Sequence, residues 1–184
     1  KYQADWIERA ARIVFLNRTC YNGLFRVNRN GEFNVPFGRY ENPEILNADN
    51  LRNAAALLKT TRIILGDFTR CKRFVDNSTF VYLDPPYRPL SGTASFTNYS
   101  RHGFTDGDQM RLAEFFRELD TIGAKIMLSN SDPKNEDPGD SFFDDLYSGY
   151  CIERVPAKRM INCNGRGRGE INELIITNYR TQGM

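Results

Sequence analysis

The sequence predicts an α/β fold, because short apolar runs of strand length alternate with amphipathic helical patterns through its second half. The clearest helical pattern runs from about residue 105 to 119, with Leu112 and Phe115 near one face. The last two predicted strands flank a loop rich in Gly and Arg, so we expect them to form an antiparallel edge of the sheet. The segments predicted as strands are residues 62–65, 79–83, 125–129, 151–155 and 171–177.

The first third of the chain predicts helices and a hairpin. Residues 1 to about 20 and residues 50–58 have helical patterns. Between them, residues 19–40 are rich in Asn, Gly and Arg, and Asn30-Gly31 is typical of a tight hairpin turn. The two predicted domains are a helical and hairpin subdomain, residues 1–61, and an α/β core, residues 62–184.

Polar segments that directly follow predicted strands indicate a ligand site at one end of the sheet. They are residues 66–68, 84–87 and 129–132. Ligands of α/β sheets bind at the carboxyl ends of the strands. The connections are predicted to include a long polar loop over residues 88–104 and a short helix that Ser141 caps.

Composition excludes several classes of protein. The 184 residues suffice for one ordinary domain, or for one domain with a small appendage. No apolar run reaches membrane-spanning length, nothing resembles a signal peptide, and the four cysteines include no CxxC pair. We therefore expect no membrane association, no zinc or other metal, and no disulfide framework, as in a cytoplasmic protein with reduced thiols.

Positive charge is concentrated in two segments of a nearly neutral chain. Two separate basic patches indicate a local contact with a polyanion, although solvated arginines on an ordinary surface would give the same pattern. The early patch contains Arg18, Arg26, Arg29 and Arg39, and the late patch contains Lys158, Arg159, Arg166 and Arg168.

The segment Asp84-Pro85-Pro86-Tyr87 combines the groups that a planar amine would need. The two prolines fix the backbone directly after a strand and offer no N–H group that could compete as a donor. They hold a carboxylate and a backbone carbonyl in place as acceptors, and Tyr87 adds a flat face for stacking. A rigid turn at the end of a strand is the alternative interpretation.

This segment resembles the catalytic motif of amino-methyltransferases, D/N-P-P-Y/F/W, and further motifs narrow the family. From about residue 8 to residue 179, in family order, the chain resembles Dam-type (D12 class) DNA adenine-N6 methyltransferases. The resemblance implies part of a Rossmann-like methyltransferase sheet with a small, mainly helical DNA-recognition subdomain. It also implies methyl transfer from S-adenosylmethionine to N6 of adenine in double-stranded DNA, and several family members read GATC. The matching segments are residues 18–26, 31–40, 64–68, 95–99, 104–105, 128–132, 161–165 and 172–179.

The resemblance also implies roles for residues of the pocket. The Asp84 carboxylate and the Pro85 carbonyl would accept the N–H groups of adenine, Pro86 would keep the loop rigid, and Tyr87 would stack on the flipped base. Asp67-Phe68 would meet the cofactor adenine, and Asp84 would also lie at the cofactor. Without the resemblance, Asp67-Phe68 reads equally well as a turn at a strand end with a core Phe.

The hairpin match implies that Tyr21, Asn22, Leu24, Arg26 and Pro36 read DNA. Arg26 suits bidentate recognition of guanine, Tyr21 could wedge into the base stack, and Leu24 could touch a thymine methyl group, as could Pro36. An ordinary hairpin with a packed Tyr and a solvated Arg is the alternative. Phosphate contacts are expected from Arg159, Asn162 and Asn164, together with Arg166 and Arg168, unless these form only a glycine-rich hairpin loop.

One family motif has no match in this chain. The glycine-rich turn that opens the family's cofactor site is missing, as are its acidic residue for the cofactor ribose and its N-terminal lysine. Residues 165–169 are no substitute, because they precede a strand rather than open a helix. We therefore expect that an N-terminal part of the parent protein is absent here and that this chain alone binds the cofactor weakly.

Two other functions remain open from the sequence. An amino-methyltransferase acting on RNA or on a protein glutamine would share the pocket, but it has no reason to carry the hairpin. Glutamine-modifying relatives also typically have Asn where this chain has Asp84. A non-catalytic DNA-binding fragment is the second alternative. Whether the protein is a DNA methyltransferase or a non-catalytic DNA-binding fragment, we expect a monomer.

Overall fold

The computed structural model describes residues 4–28, 30–89, 104–158 and 170–180. The chain forms two compact units, Lys1–Leu65 and Gly66–Met184. Within the described ranges, no helix is both long and apolar enough to cross a bilayer.

The described part of the first unit contains two α-helices and a short 3₁₀ helix over Tyr21–Gly23. Helix α1 spans Ala4–Thr19 and α2 spans Ala48–Leu58. The side chain of Asn47 accepts a hydrogen bond from the backbone N–H of Asn50, which satisfies one of the free donors at the start of α2. Both predicted helices are therefore present, and α2 begins slightly earlier than the sequence pattern indicates.

A hairpin separates these two helices, and its turn is built from local polar contacts. Val27 pairs with Phe33 across the hairpin. The side-chain oxygen of Asn28 accepts hydrogen bonds from backbone N–H groups of the turn, including that of Asn30. Gly31 has a φ of 81°, a left-handed conformation that glycine adopts without a steric penalty. The predicted tight turn is confirmed.

The second unit is a four-stranded mixed sheet with the strand order β1-β2-β4-β3. Strands β1 and β2 are parallel, whereas β4 runs antiparallel to both β2 and β3. The predicted α/β fold with an antiparallel edge is confirmed. The strands are β1 (Phe80–Leu83), β2 (Lys125–Ser131), β3 (Cys151–Lys158) and β4 (Glu170–Thr177).

Helix α3, which spans Asp106–Ile122, covers the sheet with the apolar face that the sequence predicts. Burial of each such side chain contributes roughly 1.5–3 kcal/mol to folding. A capping box between Thr105 and Asp108 begins the helix, and Gly123 ends it with a φ of 91°. The shared core contains Leu112, Phe115, Phe116 and Leu119 of α3 and Ile126, Leu128, Leu174 and Ile176 of the sheet.

The prediction of a buried strand over residues 62–65 is wrong. These residues form no strand, and the side chains of Ile63 and Leu65 are 77% and 94% exposed. A strand needs the backbone of a neighbour for its hydrogen bonds, and among the described strands β1 pairs only with β2. A short apolar run does not reveal whether that neighbour is available.

The predicted role of Ser141 is only partly correct. Helix α4 spans Phe142–Leu146, and Ser141 occupies the position before it, but its side chain caps no backbone amide. The hydroxyl instead donates to the Asp145 carboxylate. The position of the helix was predictable from the sequence. Whether the Ser141 hydroxyl would accept from a backbone N–H or donate to the Asp145 carboxylate was not.

Candidate active site

The segment Asp84–Tyr87 lies where the sheet brings β1 and β2 to a common end. The parallel register pairs Leu83 with Leu128, so the residues that follow these two lie at neighbouring strand ends. The polar segment 129–132 therefore reaches the loop that follows β1. This is the strand end at which ligands bind in α/β sheets.

The Asp84 carboxylate is exposed and held on one side. Its Oδ1 atom accepts a hydrogen bond from Ser129 Oγ at 3.0 Å. Ser129 Oγ also lies 3.0 Å from the Tyr82 hydroxyl, so that β1 and β2 together fix the serine. Within the described residues, Asp84 Oδ2 forms no hydrogen bond, which leaves this oxygen of an exposed side chain available as an acceptor.

The carbonyl groups of the two prolines have different environments. The Pro86 carbonyl accepts a hydrogen bond from Gln109 Nε2 of α3 at 3.2 Å. The Pro85 carbonyl accepts none from any residue that the structure describes. Because Pro85 follows Asp84 directly, the loop carries a carboxylate oxygen and a backbone carbonyl in successive residues, and no described residue donates a hydrogen bond to either.

Tyr87 is partly buried beside this pair of acceptors. Its hydroxyl lies 3.4 Å from Glu173 Oε2 of β4, a long hydrogen bond. Burial raises the pKa of the Tyr87 phenol above its usual value of 10.0. The ring therefore stays neutral at physiological pH and offers a planar surface to a ligand.

Arg88 anchors the end of the loop, although the sequence analysis did not single it out. Its guanidinium donates to Asp106 at 2.9 Å and to Asp140 at 2.7 Å, and it lies 4.4 Å from the centre of the Phe142 ring. Partial burial is the largest influence on the Asp140 carboxyl and raises its pKa. The hydrogen bonds from Arg88 and from the backbone N–H of Phe142, together with the positive charges of Arg88 and Lys134, outweigh burial and hold this pKa below its usual value.

Asp67, a predicted cofactor residue, precedes a 3₁₀ helix over Phe68–Phe74 and caps it. Its Oδ1 accepts hydrogen bonds from the backbone N–H and the hydroxyl of Thr69, and its Oδ2 lies 2.6 Å from Arg111 Nη2. The hydrogen bonds from Thr69 and Arg111 lower the pKa of Asp67 to about 2. The group is therefore an anionic acceptor at any physiological pH.

Phe68 lies in an aromatic cluster beside Asp67. Its ring centre is 5.5 Å from that of Phe115 in the core and 6.4 Å from that of Phe104. The Arg111 guanidinium lies 5.1 Å from the centre of the Phe68 ring. Arg111 thus contacts both predicted cofactor residues, and the sequence analysis did not identify it.

The predicted DNA-reading residues lie in the first unit, on and beside the hairpin. The backbone N–H of Tyr21 donates to the Pro36 carbonyl at 2.8 Å, so these two residues are neighbours. Asn22 has a φ of 54°, and its N–H donates to the Tyr40 hydroxyl. The Tyr21 side chain is 53% exposed, and Leu24 is partly buried.

Arg26 is exposed, but its side chain is ordered by one neighbour. Nε donates to the side-chain oxygen of Asn34 at 2.9 Å, and Nη2 donates to the Asn34 carbonyl at 2.8 Å. Nη1 forms no hydrogen bond within the described residues. A guanidinium held on one edge can present its other edge to a ligand.

A protein-family model of the D12 class N6 adenine-specific DNA methyltransferases matches residues 2–161 of this chain. The chain belongs to this family. The predicted resemblance is therefore confirmed over most of the sequence.

Curated relatives support the same assignment. The Type II methyltransferase M.MjaIII of Methanocaldococcus jannaschii is 54% identical over 97% of this chain and 60% of its own length. The Type II methyltransferase M1.LlaDCHI of Lactococcus lactis is 40% identical over 94% of this chain and 59% of its own length. The DNA adenine methylase of Serratia marcescens is 36% identical over 91% of this chain and 59% of its own length. The chain thus spans about 60% of the length of these methyltransferases.

The residues at the pocket fit the methyl donor that a methyltransferase needs. One lone pair of Asp67 Oδ2 remains beyond the bond to Arg111, and this side chain is 44% exposed. An exocyclic amine of a purine could donate to it, while Phe68 offers a partly buried aromatic surface next to it. In the described parts of the chain, no cluster of His, Cys, Asp and Glu could hold a metal ion.

Some predicted contacts fall outside the described residues. Arg159, Asn162 and Asn164 lie there, as do Arg166 and Arg168. The structure describes the predicted residues of the loop after β1 and of the hairpin. The sequence analysis missed the residues that hold these predicted residues in place, which are Arg88, Gln109, Arg111 and Asn34. Only long-range contacts distinguish them from ordinary polar residues. For Asn34 a weak signal existed, because it lies inside the hairpin match.

Proposed function

We propose that the full-length protein transfers a methyl group from S-adenosylmethionine to N6 of adenine in duplex DNA, within the site GATC. The observation that carries the proposal is a pair of acceptors, Asp84 Oδ2 and the Pro85 carbonyl, on the proline-restricted loop at the carboxyl end of β1. No residue that the structure describes donates a hydrogen bond to either of them. Membership in an adenine-specific DNA methyltransferase family favours this substrate over RNA or a protein glutamine.

The two acceptors address the chemical difficulty of the reaction. The exocyclic amine of adenine is a poor nucleophile, because its lone pair is delocalised into the ring. Asp84 and Pro85 each accept one N–H group, which favours a pyramidal nitrogen and turns its lone pair away from the two acceptors. S-adenosylmethionine, when bound, supplies an electrophilic methyl group. The contribution of this chain is positioning and electrostatic stabilisation of the charge that develops on nitrogen.

Tyr87 supports the base that Asp84 receives. Adenine inside a duplex cannot reach a pocket at the end of a sheet, so the nucleotide must leave the base stack. Leaving the duplex costs the base its stacking energy. Stacking on the neutral Tyr87 ring replaces part of it, because stacking of a base on an aromatic side chain contributes about 1–3 kcal/mol. Pro86 keeps the backbone between these groups fixed.

The methyl donor is held through its adenine by Asp67 and Phe68. Asp67 stays anionic and accepts from the amine of the ring, and Phe68 packs against the ring face. Asp84 lies at the place where the donor and the target base meet. These assignments follow the motif positions and the fit of the side chains described above.

The hairpin supplies sequence recognition. Arg26 donates to the O6 and N7 atoms of guanine in the major groove with the edge that Asn34 leaves free. Tyr21 fills the gap in the stack, Leu24 and Pro36 contact a thymine methyl group, and Asn22 lies next to Tyr21. Phosphate contacts from Arg159, Asn162 and Asn164 add affinity that does not depend on sequence.

The test is methylation of defined duplexes by the full-length protein, with the modified base mapped in each product. We expect N6-methyladenine within GATC and no product from duplexes that lack the site. Modification of RNA, of a glutamine-containing peptide or of cytosine would contradict the proposal. Modification of adenine in another sequence would contradict the assigned target site alone.

A further inference from the structure

Two buried amide side chains connect α3 and β2 to the loop after β1. Gln109 and Asn130 are both 0% exposed. Asn130 Nδ2 donates to Gln109 Oε1 at 3.1 Å. Gln109 lies on a helix face that is otherwise apolar, and a buried amide in that position is costly unless each of its polar atoms is paired.

The backbone groups that contact the two amide side chains determine how both amides are oriented. Asn130 Oδ1 accepts from the backbone N–H of Arg88 at 3.0 Å and from that of Ser131 at 2.9 Å. Its Nδ2 must therefore face Gln109, whose Oε1 accepts. Gln109 Nε2 is then the donor to the Pro86 carbonyl, which can only accept.

The two ends of this connection lie on either side of Tyr87. The Pro86 carbonyl belongs to the peptide group before Tyr87, and the Arg88 N–H belongs to the peptide group after it. Fixing both peptide groups fixes the backbone of Tyr87 and the direction in which its ring leaves the chain. The same contact at Pro86 limits rotation of the preceding segment, Asp84-Pro85.

We propose that Gln109 is a positioning residue for methyl transfer. Through the Pro86 carbonyl, and through Asn130 to the Arg88 N–H, it holds Tyr87 and the two acceptors in the geometry that the target amine requires. The inference rests on the proposed function of Asp84, Pro85 and Tyr87. Gln109 itself touches neither substrate.

The first test uses Gln109→Glu in the full-length protein and follows kcat against pH. A neutral carboxyl restores the wild-type pattern, since its O–H can donate to the Pro86 carbonyl while its other oxygen accepts from Asn130. An ionised carboxylate has no proton to donate, so its oxygen faces the Pro86 carbonyl oxygen and the two acceptors repel each other. Burial raises the pKa of the introduced carboxyl towards neutrality. We therefore expect the ratio of variant to wild-type kcat to rise at least about tenfold as the pH falls from 8.5 to 6, in the range where a raised carboxyl pKa would lie.

The control is Met110→Glu, which introduces a carboxyl at the next position of α3, where the side chain is 49% exposed. Its ratio to wild type should not change with pH. Groups that can titrate nearby are present in all three proteins, so the ratio removes their effect. They are Asp84, Tyr87 and Arg88 on the loop, Asp106 and Asp108 in the first turn of α3, Asp132 after β2 and Glu173 on β4. Circular dichroism at each pH verifies that the variant is folded.

The second test is Gln109→Met, which keeps the volume and removes both hydrogen bonds. We expect kcat to fall about 10- to 100-fold while the KM values for DNA and for the methyl donor change less than about threefold, as when an interaction matters mainly in the transition state. If Gln109→Glu does not fold, Gln109→Met tests the positioning role by itself. A kcat within twofold of wild type, or a change in KM alone, would overturn the positioning role.

A third measurement separates this inference from the proposed function. If wild type methylates adenine and Asp84→Asn does not, but both Gln109 variants retain the wild-type kcat at every pH, only the positioning role fails. If wild type does not methylate adenine, the proposed function fails first.

Discussion

Asp84 is the residue on which the proposed chemistry depends most directly. It accepts a hydrogen bond from Ser129, and the negative charge of its carboxylate makes it unsuited to binding phosphate. We expect Asp84→Asn or Asp84→Ala in the full-length protein to lower methyl transfer far more than tenfold while DNA binding changes little. Single-turnover rates and DNA affinity are the measurements. Turnover that survives within about tenfold, a loss of ~1.4 kcal/mol in transition-state stabilisation, would refute the assigned role.

Arg26 offers a residue-scale test of sequence recognition. A base-reading arginine discriminates by roughly 1–3 kcal/mol at one base pair, whereas a phosphate contact strengthens all sequences alike. We expect Arg26→Ala to lower methylation of GATC far more than binding to random duplex, and to relax selectivity at the G·C pair after the thymine. The measurement is a panel of duplexes in which each base pair of GATC is replaced in turn.

Asn34→Ala is the companion variant, because Asn34 orders the Arg26 side chain and the substitution leaves Arg26 itself in place. We expect a smaller loss of selectivity at the same base pair. A uniform drop across the panel in Arg26→Ala, together with a shallower salt dependence, would instead mean that Arg26 contacts only phosphate.

At the scale of elements, Arg88 joins the loop after β1 to the start of α3 and to the segment before α4. We expect Arg88→Ala to reduce the free energy of unfolding by about 2 kcal/mol, since it removes charged hydrogen bonds to the partly buried carboxylate of Asp140 and to the more exposed carboxylate of Asp106. Arg52→Ala is the control, because its ion pair with Asp49 is largely exposed and should contribute little. Denaturant unfolding of both variants measures the difference. An equal effect of the two substitutions would count against the anchoring role of Arg88.

The contribution of Arg88 should also depend on pH. The pKa of Asp140 in the folded protein lies below its usual value of 3.8, so the ion pair stabilises the fold above that pH. As the pH falls through the lowered pKa, the carboxyl is protonated and this stabilisation is lost. The difference in unfolding free energy between wild type and Arg88→Ala should therefore be constant near neutral pH and shrink below about pH 4. A difference that grows on acidification would have the wrong sign.

At the scale of the whole molecule, the chain spans about 60% of the length of its methyltransferase relatives, and the family's glycine-rich cofactor turn has no match in it. We expect the 184-residue chain to bind S-adenosylmethionine weakly or not at all, because in the proposed arrangement Asp67 and Phe68 would provide only one side of the cofactor site. Titration calorimetry with this chain and with the full-length protein is the measurement. Micromolar affinity of the 184-residue chain would contradict the prediction.

The sequence by itself determined the features that depend on neighbouring residues. The hairpin turn follows from Asn28, Asn30 and Gly31, and the cap and apolar face of α3 follow from the spacing of residues 105–119. Two adjacent prolines after a strand restrict the backbone of this loop in any surroundings, so the Asp84–Tyr87 motif could be identified without a structure. The family assignment rests on the same local motifs.

Tertiary structure decided the features that need a distant partner. Residues 62–65 have the apolar pattern of a buried strand, but they form no strand, and the side chains of Ile63 and Leu65 are 77% and 94% exposed. Arg88 and Gln109 looked like ordinary polar residues until the fold placed Asp140 beside one and Asn130 beside the other. A side chain's hydrogen bonds depend on which groups the fold brings within about 3 Å of it, and a linear pattern records only the groups that are near in sequence.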